Sequence, residues 1–459
     1  MANIIERTIA EERLQAAQQR GAMREYLIDY YEENQHDKDE YLRAWGFQRK
    51  TALPLTSTRL VKRVIDTLSM VYKKPPNRYL VDKNGNKIEK NGIADFESDN
   101  YEFNVQLKKC ERYFNLLKNV LFRIAYDDEA GKMYFYIETD YIPEFGRNNN
   151  IYPIGYHIPL PIDTDKKDSE EQLYLFISDE LYYIHDGITD EKMPVPPFDD
   201  ITNPYGIMPI IDFSEPCAGT YWNMGAKSLV DVARHYNIGM LNTAYAHHFQ
   251  CFDQAWTRGL RSENLPKDAY GNPVLKVGSD EAWNLGDDGA AGLLGFNPKL
   301  VESIEFYRGW LNMELANYGL QAVFKESGNP MSGFALKVSK IELLEKRQAD
   351  VDFYKVKEQE IYEVLRVMNE YHGLGYNMPR ESWLITDFVE PDFPSDPADE
   401  RAEWEWKWEN NLASKEDYLM AKNPDLDEET ASKIIEKNTI ANRPTRGLFP
   451  SATNNGQQQ

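Results

Sequence analysis

Two adjacent acidic pairs, Asp127-Asp128 and Asp287-Asp288, are the residues best suited by type to chemistry. Paired carboxylates can hold a divalent cation for phosphoester hydrolysis. Each pair stands in a turn-like context, where solvated carboxylates are the ordinary outcome. His235, His247 and His248 offer imidazole nitrogens. The last two are neighbours on a helical pattern, so their side chains diverge by about 100°, and no carboxylate completes a ligand pair one turn away. Asp82, Asn84 and Asn86 imitate the first ligands of a calcium loop. Lys87 stands where that loop needs glycine, and Ile93 where it needs the bidentate glutamate. Cys110, Cys217 and Cys251 lie far apart without a C-x-x-C pair, which offers neither a disulfide framework nor a zinc site. Gly286–Gly295 is glycine-rich but lacks the G-x-x-x-x-G-K-[ST] of a phosphate loop, and no G-x-S-x-G or H-E-x-x-H is present. The expectation is a protein that is not an enzyme and holds no metal or cofactor.

The elements that must position these residues belong to a long, acidic chain. Its 459 residues exceed a single compact core, so two or more domains are expected. A formal net charge of −23 argues against an open basic groove gripping DNA. It is compatible with DNA passing through a ring whose acidic lining repels phosphate. The first twenty residues are charged throughout and lack the apolar stretch of a signal peptide, and no run of 18 apolar residues exists. A soluble intracellular product that does not cross a membrane is expected.

Along the chain, apolar spacing predicts a helix over residues 3–34 and another after Thr56-Ser57-Thr58, closed by Pro75-Pro76. Tyr79–Val81, Asn84-Gly85 and Ile88 predict a hairpin on a type I′ turn. Residues 104–128 predict a further helix, followed by strands in MYFYIETDYIPEF, QLYLFIS, ELYYIHDG and IMPIIDF. Residues 221–256 predict a long helix with Leu229, Val232, Tyr236, Met240 and Thr243 on one face. Gly225 and Gly239 would permit close approach of a partner helix. From Thr257 to Phe296 helix signals give way to short strands and glycine turns.

Asn297–Gly373 organises the chain. Leu300, Ile304, Tyr307, Leu311, Leu315 and Tyr318 recur at helical steps after Asn297-Pro298, a good helix start. Gly328, Asn329, Pro330 and Gly333 forbid a continuous helix. The next forty residues, rich in Leu, Glu, Lys, Gln and Arg, contain no Gly or Pro before Gly373. Beyond it, ESWLITDFVEPDF is a strand candidate, and Pro397–Asn410 an acidic helix with Trp404 and Trp408 one turn apart. Two short helices follow, with Ser414 and Asp417 as a capping pair and Asp425 or Asp427 capping the second. The tail from Asn442 has the composition of a disordered segment.

Ser332-Gly333-Phe334-Ala335-Leu336-Lys337, opening the long charged helix, resembles the SG-x-A-L-K segment of tailed-bacteriophage portal proteins. The Pro75-Pro76 turn before strands, the Gly206-Ile207-Met208-Pro209 approach to a short strand, and a small β insert between two long helices are similar to the portal order. The resemblance implies an α+β, portal-like multidomain subunit. Its parts would be a wing over 1–223 and 334–373, stem helices over 224–256 and 299–320, a clip over 257–298, and a helical crown and tail over 374–459. A tunnel loop over 321–333 would carry Phe324, Lys325, Glu326, Ser327, Asn329 and Met331 toward DNA. Arg258, Arg261, Asp268, Tyr270 and Trp283 of the clip would meet docking partners.

The function so implied is a ring of twelve subunits at one capsid vertex of the virion, assembled in the host cytoplasm. It would be a channel through which double-stranded DNA is packaged and ejected. The implied partners are the terminase large subunit, a head–tail adaptor or connector, and the major capsid and scaffolding proteins. Two other readings stand beside it: a metal-dependent nuclease or phosphoesterase using scattered carboxylates, and a non-channel scaffold or connector subunit.

Overall fold

The computed structural model describes residues 20–34, 58–89, 92–147, 149–161, 172–186, 191–250, 254–258, 270–271, 289–294, 299–320, 341–390, 397–423, 426 and 428–441. In chain order they form α1 (20–31), α2 (Leu60–Leu68), β1 (Asn77–Val81), α3 (Gly92–Asp99), α4 (Glu102–Leu117), β2 (Asn119–Asp127), β3 (Lys132–Glu138), β4 (Ile142–Phe145), β5 (Pro153–Pro159), β6 (Tyr174–Ser178), β7 (Tyr182–His185), β8 (Met193–Pro194) and β9 (Ile210–Ser214). Then come α5 (Lys227–Gln250), β10 (Gln254–Arg258), β11 (Ala290–Leu294), α6 (Leu300–Asn317), α7 (Ile341–His372), β12 (Trp383–Asp387), α8 (Pro397–Glu409), α9 (Lys415–Lys422) and α10 (Glu428–Ala441). The α+β class expected from the sequence is what folds. The described residues up to 390 form one compact unit, and those from 397 onward form a second.

At the centre of the first unit lies β2, flanked antiparallel by β3 and β9. Val120, Phe122 and Ile124 enter one core together with residues from α1 to α7, while Leu121 enters a second core built with Tyr141, Tyr156, Ile158 and Ile177. A strand buried on both faces reads as a continuous apolar run without alternation. That is why residues 104–128 look like one helix. The structure divides them: Lys118 adopts φ 60°, its N–H caps Phe114 O at 2.8 Å, and the chain leaves as β2. A five-stranded antiparallel sheet, β4 to β8 in chain order, covers the second core.

Two further expectations change near the start. The helix after Thr58 closes at Leu68, well before Pro75-Pro76, because Ser69 turns both its N–H and its hydroxyl back onto Ile65 O. β1 pairs along its length with β12, and the expected local return meets only its end. Around Asn84-Gly85 the local return is short: a Val81–Lys87 bridge, Ile88 N–H donating to Leu80 O at 2.9 Å and Asp82 N–H donating to Asn86 O at 2.9 Å. Gly85 has φ +80° while Asn84 stays out of the left-handed region, so the turn is not type I′. The β1–β12 pair also places residues 374–390 in the first unit, so the C-terminal unit begins later than 374.

Charge is buried where β1 meets α7. The Arg78 guanidinium, fully covered, donates through Nε to Glu358 Oε2 at 2.7 Å and through Nη2 to Oε1 at 2.6 Å. Asn104 Oδ1 accepts from Nη1 at 2.8 Å, Glu97 is a further partner, and Tyr72 donates to Glu358 at 2.7 Å. Nearby, the buried Glu111 carboxyl accepts the N–H groups of Val71 and Tyr72 at 2.8 and 3.0 Å.

In the second unit, Trp404 and Trp408 of α8 meet Tyr418 of α9, with ring centroids 5.2 and 5.9 Å away. The expected capping pair forms in full: Asp417 N–H donates to Ser414 Oγ at 3.0 Å and Ser414 N–H to Asp417 Oδ2 at 2.6 Å.

Candidate functional site

The helix pair α5–α6 and the ribbon between its members form the arrangement on which any functional reading turns. α5 and α6 approach closely because Gly239 has no side chain: a Cβ there would lie 2.3 Å from the Tyr307 ring. Ser228 Oγ donates to the buried Glu314 carboxylate at 2.6 Å, and Asn317 adds a second donor at 3.2 Å. On the inner side of α6, Leu311 and Leu315 join the main core. On its outer side Phe306 and Met313 are 65 and 66 % exposed. Phe306 and Met313 stand two turns apart and share one face.

β10 and β11 form an antiparallel two-stranded ribbon in register Gln254 to Leu294 through Arg258 to Ala290. Trp256 lies opposite Gly292, where an added Cβ would come within 2.9 Å of its indole nitrogen. Of the expected clip residues, Arg258 is exposed on β10 and Tyr270 is 90 % exposed. Arg261, Asp268 and Trp283 lie outside the described residues. So do Phe324, Lys325, Glu326, Ser327, Asn329 and Met331, together with Ser332, Gly333, Ala335, Leu336 and Lys337, since description stops at Leu320 and resumes at Ile341.

The acidic and histidine candidates find local partners. Asp127 Oδ1 accepts the N–H groups of Glu129 and Ala130 at 2.9 and 3.1 Å, closing the β2–β3 turn. Asp82 Oδ1 does the same for Asn84 and Asn86, both at 2.8 Å. The Asp287-Asp288 pair lies outside the described residues, as does the side chain of His248. His235 Nδ1 lies 2.7 Å from Asp231 O, and its ring is 5.1 Å from that of Trp310. Among the described residues no group of three His, Cys, Asp or Glu side chains is placed to hold a metal ion.

Two polar relays were not legible in the sequence. His372, at the end of α7, lies 3.0 Å from Tyr205 Oη and 3.5 Å from Asp128, with the Tyr126 ring 4.0 Å away. Burial lowers its pKa against the opposing pull of Asp128. On the five-stranded sheet, Glu144 lies 3.0 Å from His157 Nε2, and His157 Nδ1 lies 2.8 Å from His185 Nε2. With both rings neutral, the Glu144 contact puts the proton of His157 on Nε2, so Nδ1 accepts from His185. Strand alternation places His157 and His185 on the same sheet face; the register of β5, β6 and β7, which no sequence signal supplies, brings them together.

No protein-family model matches the chain, and no curated protein matches it by sequence. Solved structures loosely similar to the chain include two from gene transfer agent particles. One is a chain from the neck of an empty gene transfer agent particle, computed with C6 symmetry: TM-score 0.44 and 10 % identity over 83 % of this chain and 90 % of that one. The other comes from the virion of a native gene transfer agent particle: TM-score 0.43 and 9 % identity over 84 % of this chain and 93 % of that one. Likeness at this level carries no argument about role.

Proposed function

We propose that this chain is a portal-type ring subunit of a tailed-phage-like particle, a channel for double-stranded DNA that does no covalent chemistry. The observation that carries the reading is the outer face of α6. In a lone chain Phe306 and Met313 stand largely in water on one member of a helix pair whose other side is already packed. Repeating one heterologous contact around an axis would cover such a face on every copy and close a ring. The helix–ribbon–helix order and the SGFALK segment opening the long helix support the same reading. In it, α5 and α6 are stem helices, β10–β11 the root of the clip, and residues 321–333 the loop that meets DNA, with terminase and the head–tail adaptor docking at the clip.

Native mass of the purified chain tests this. Twelve copies of the 53.3 kDa subunit give roughly 640 kDa. A stable monomer at every concentration, with divalent-metal-dependent cleavage of DNA, would replace the reading with a nuclease.

A further inference from the structure

The chain is strongly acidic, yet one groove on its first unit is basic. It has a volume of about 540 Å³ and is lined by Lys62, Lys73, Lys108, Lys109 and Arg112 against a single acid, Glu32. Some of these cations are engaged: Arg112 pairs with Asp66 at 3.1 Å, while Lys62 and Lys109 sit over the rings of Tyr31 and Tyr113. Glu32 accepts the Tyr113 hydroxyl at 2.8 Å. Lys73 and Lys108 have no ion-pair or hydrogen-bond partner among the described residues, although Lys108 is half-buried. Lys62 also lies 3.9 Å from Glu33, so the uncompensated charge is carried chiefly by Lys73 and Lys108, and an anionic occupant would neutralise it. The walls also carry apolar surface, with Pro75 and the exposed Val105 beside the tyrosines.

An occupant of matching chemistry exists on this chain. In α8, Trp404 and Trp408 turn toward Tyr418, whereas Trp406 is 56 % exposed. Glu403 and Glu409 flank it three residues away on either side, on the same helical face. An exposed indole between two carboxylates fits a tyrosine-walled basic groove. Glu403 is held at 2.8 Å by Lys407 within the helix and would exchange or share that partner on docking; lysine ammonium groups favour the indole face.

We infer that the groove of one copy receives the Trp406 face of α8 from a second copy of this chain. This contact rests on the ring reading and names a pair of surfaces that would meet between neighbours.

The test uses the full chain. Lys73→Glu with Lys108→Glu, and separately Glu403→Lys with Glu409→Lys, each reverse two charges; thermal melting checks that each variant folds. Each is expected to weaken subunit association at least about tenfold at physiological salt. Combining all four substitutions, which restores opposite charges, is expected to recover most of the loss. Trp406→Ala weakens association without changing its salt dependence.

If the wild type forms rings and both charge reversals form them equally well, the docking is wrong and the ring reading stands. If the wild type never associates, both fail. Loss in the groove variant without recovery in the combined one means the helix is not the occupant. Binding of a short DNA duplex by the wild type, abolished by the groove reversal, would assign the groove to nucleic acid and overturn the inference.

Discussion

Arg78 and Glu358, 280 residues apart in sequence, form a bidentate ion pair with almost no solvent contact, tying β1 to the middle of α7. Removing one partner strands the other in a dry interior. Glu358→Gln or Arg78→Met is each expected to destabilise the first unit by about 3–5 kcal/mol. Arg78→Lys would not rescue, because an ammonium cannot reproduce the two parallel bonds. Denaturant midpoints measured by circular dichroism check this; a loss under 1 kcal/mol would mean that the pair is solvated.

Gly239→Ala places a methyl group against the Tyr307 ring, and the ring or the helix must move. A loss of about 1–3 kcal/mol is expected from such overpacking. In the Tyr307→Ala background the same substitution should be nearly neutral. A double-mutant cycle with no coupling would show that α5 and α6 do not meet at this point.

Burial pushes the Glu111 carboxyl up to about 7, against the lowering effect of the Val71 and Tyr72 N–H groups. A carboxyl with a raised folded pKa binds its proton more tightly in the native state. Its contribution to stability is therefore fully present below about pH 4.5 and is lost as pH rises through 7. Glu111→Gln does not titrate, so any advantage of the wild type over this variant should shrink between pH 5 and pH 8 by something on the order of 3 kcal/mol. A difference independent of pH across that window would show that Glu111 ionises like an exposed glutamate.

Replacing residues 324–331 with glycine and serine is expected to leave native mass unchanged while DNA packaging in an assembly extract falls sharply. Loss of assembly by subunits that stay folded would make that segment an interface, not a channel loop.

Much of this architecture was legible, but unevenly. The stem-like helices, the acidic C-terminal helix and the Ser414–Asp417 box followed from spacing and capping chemistry, which act over a few residues. The end of α4 did not, because a lysine holds the left-handed position where glycine is the usual signal. β2 was hidden by having both faces buried. The partner of β1 was out of reach, since nothing near residue 80 points to residue 384. The basic groove escaped for the same reason: Lys62 on α2, Lys73 on the loop after it and Lys108 on α4 look like scattered surface charge.

The β1–β12 ladder also bears on how the chain is made. Asn77 pairs with Asp387, so the seam of the first unit closes only after more than three hundred intervening residues have been synthesised. Contacts of such long sequence separation form late and slowly. A chain ending before residue 383 would expose the unpaired edge of β1, and one ending before residue 358 would also leave Arg78 without Glu358. An unpaired strand edge of this kind favours aggregation and proteolysis. Completion of the polypeptide thereby becomes the condition for closing the first unit.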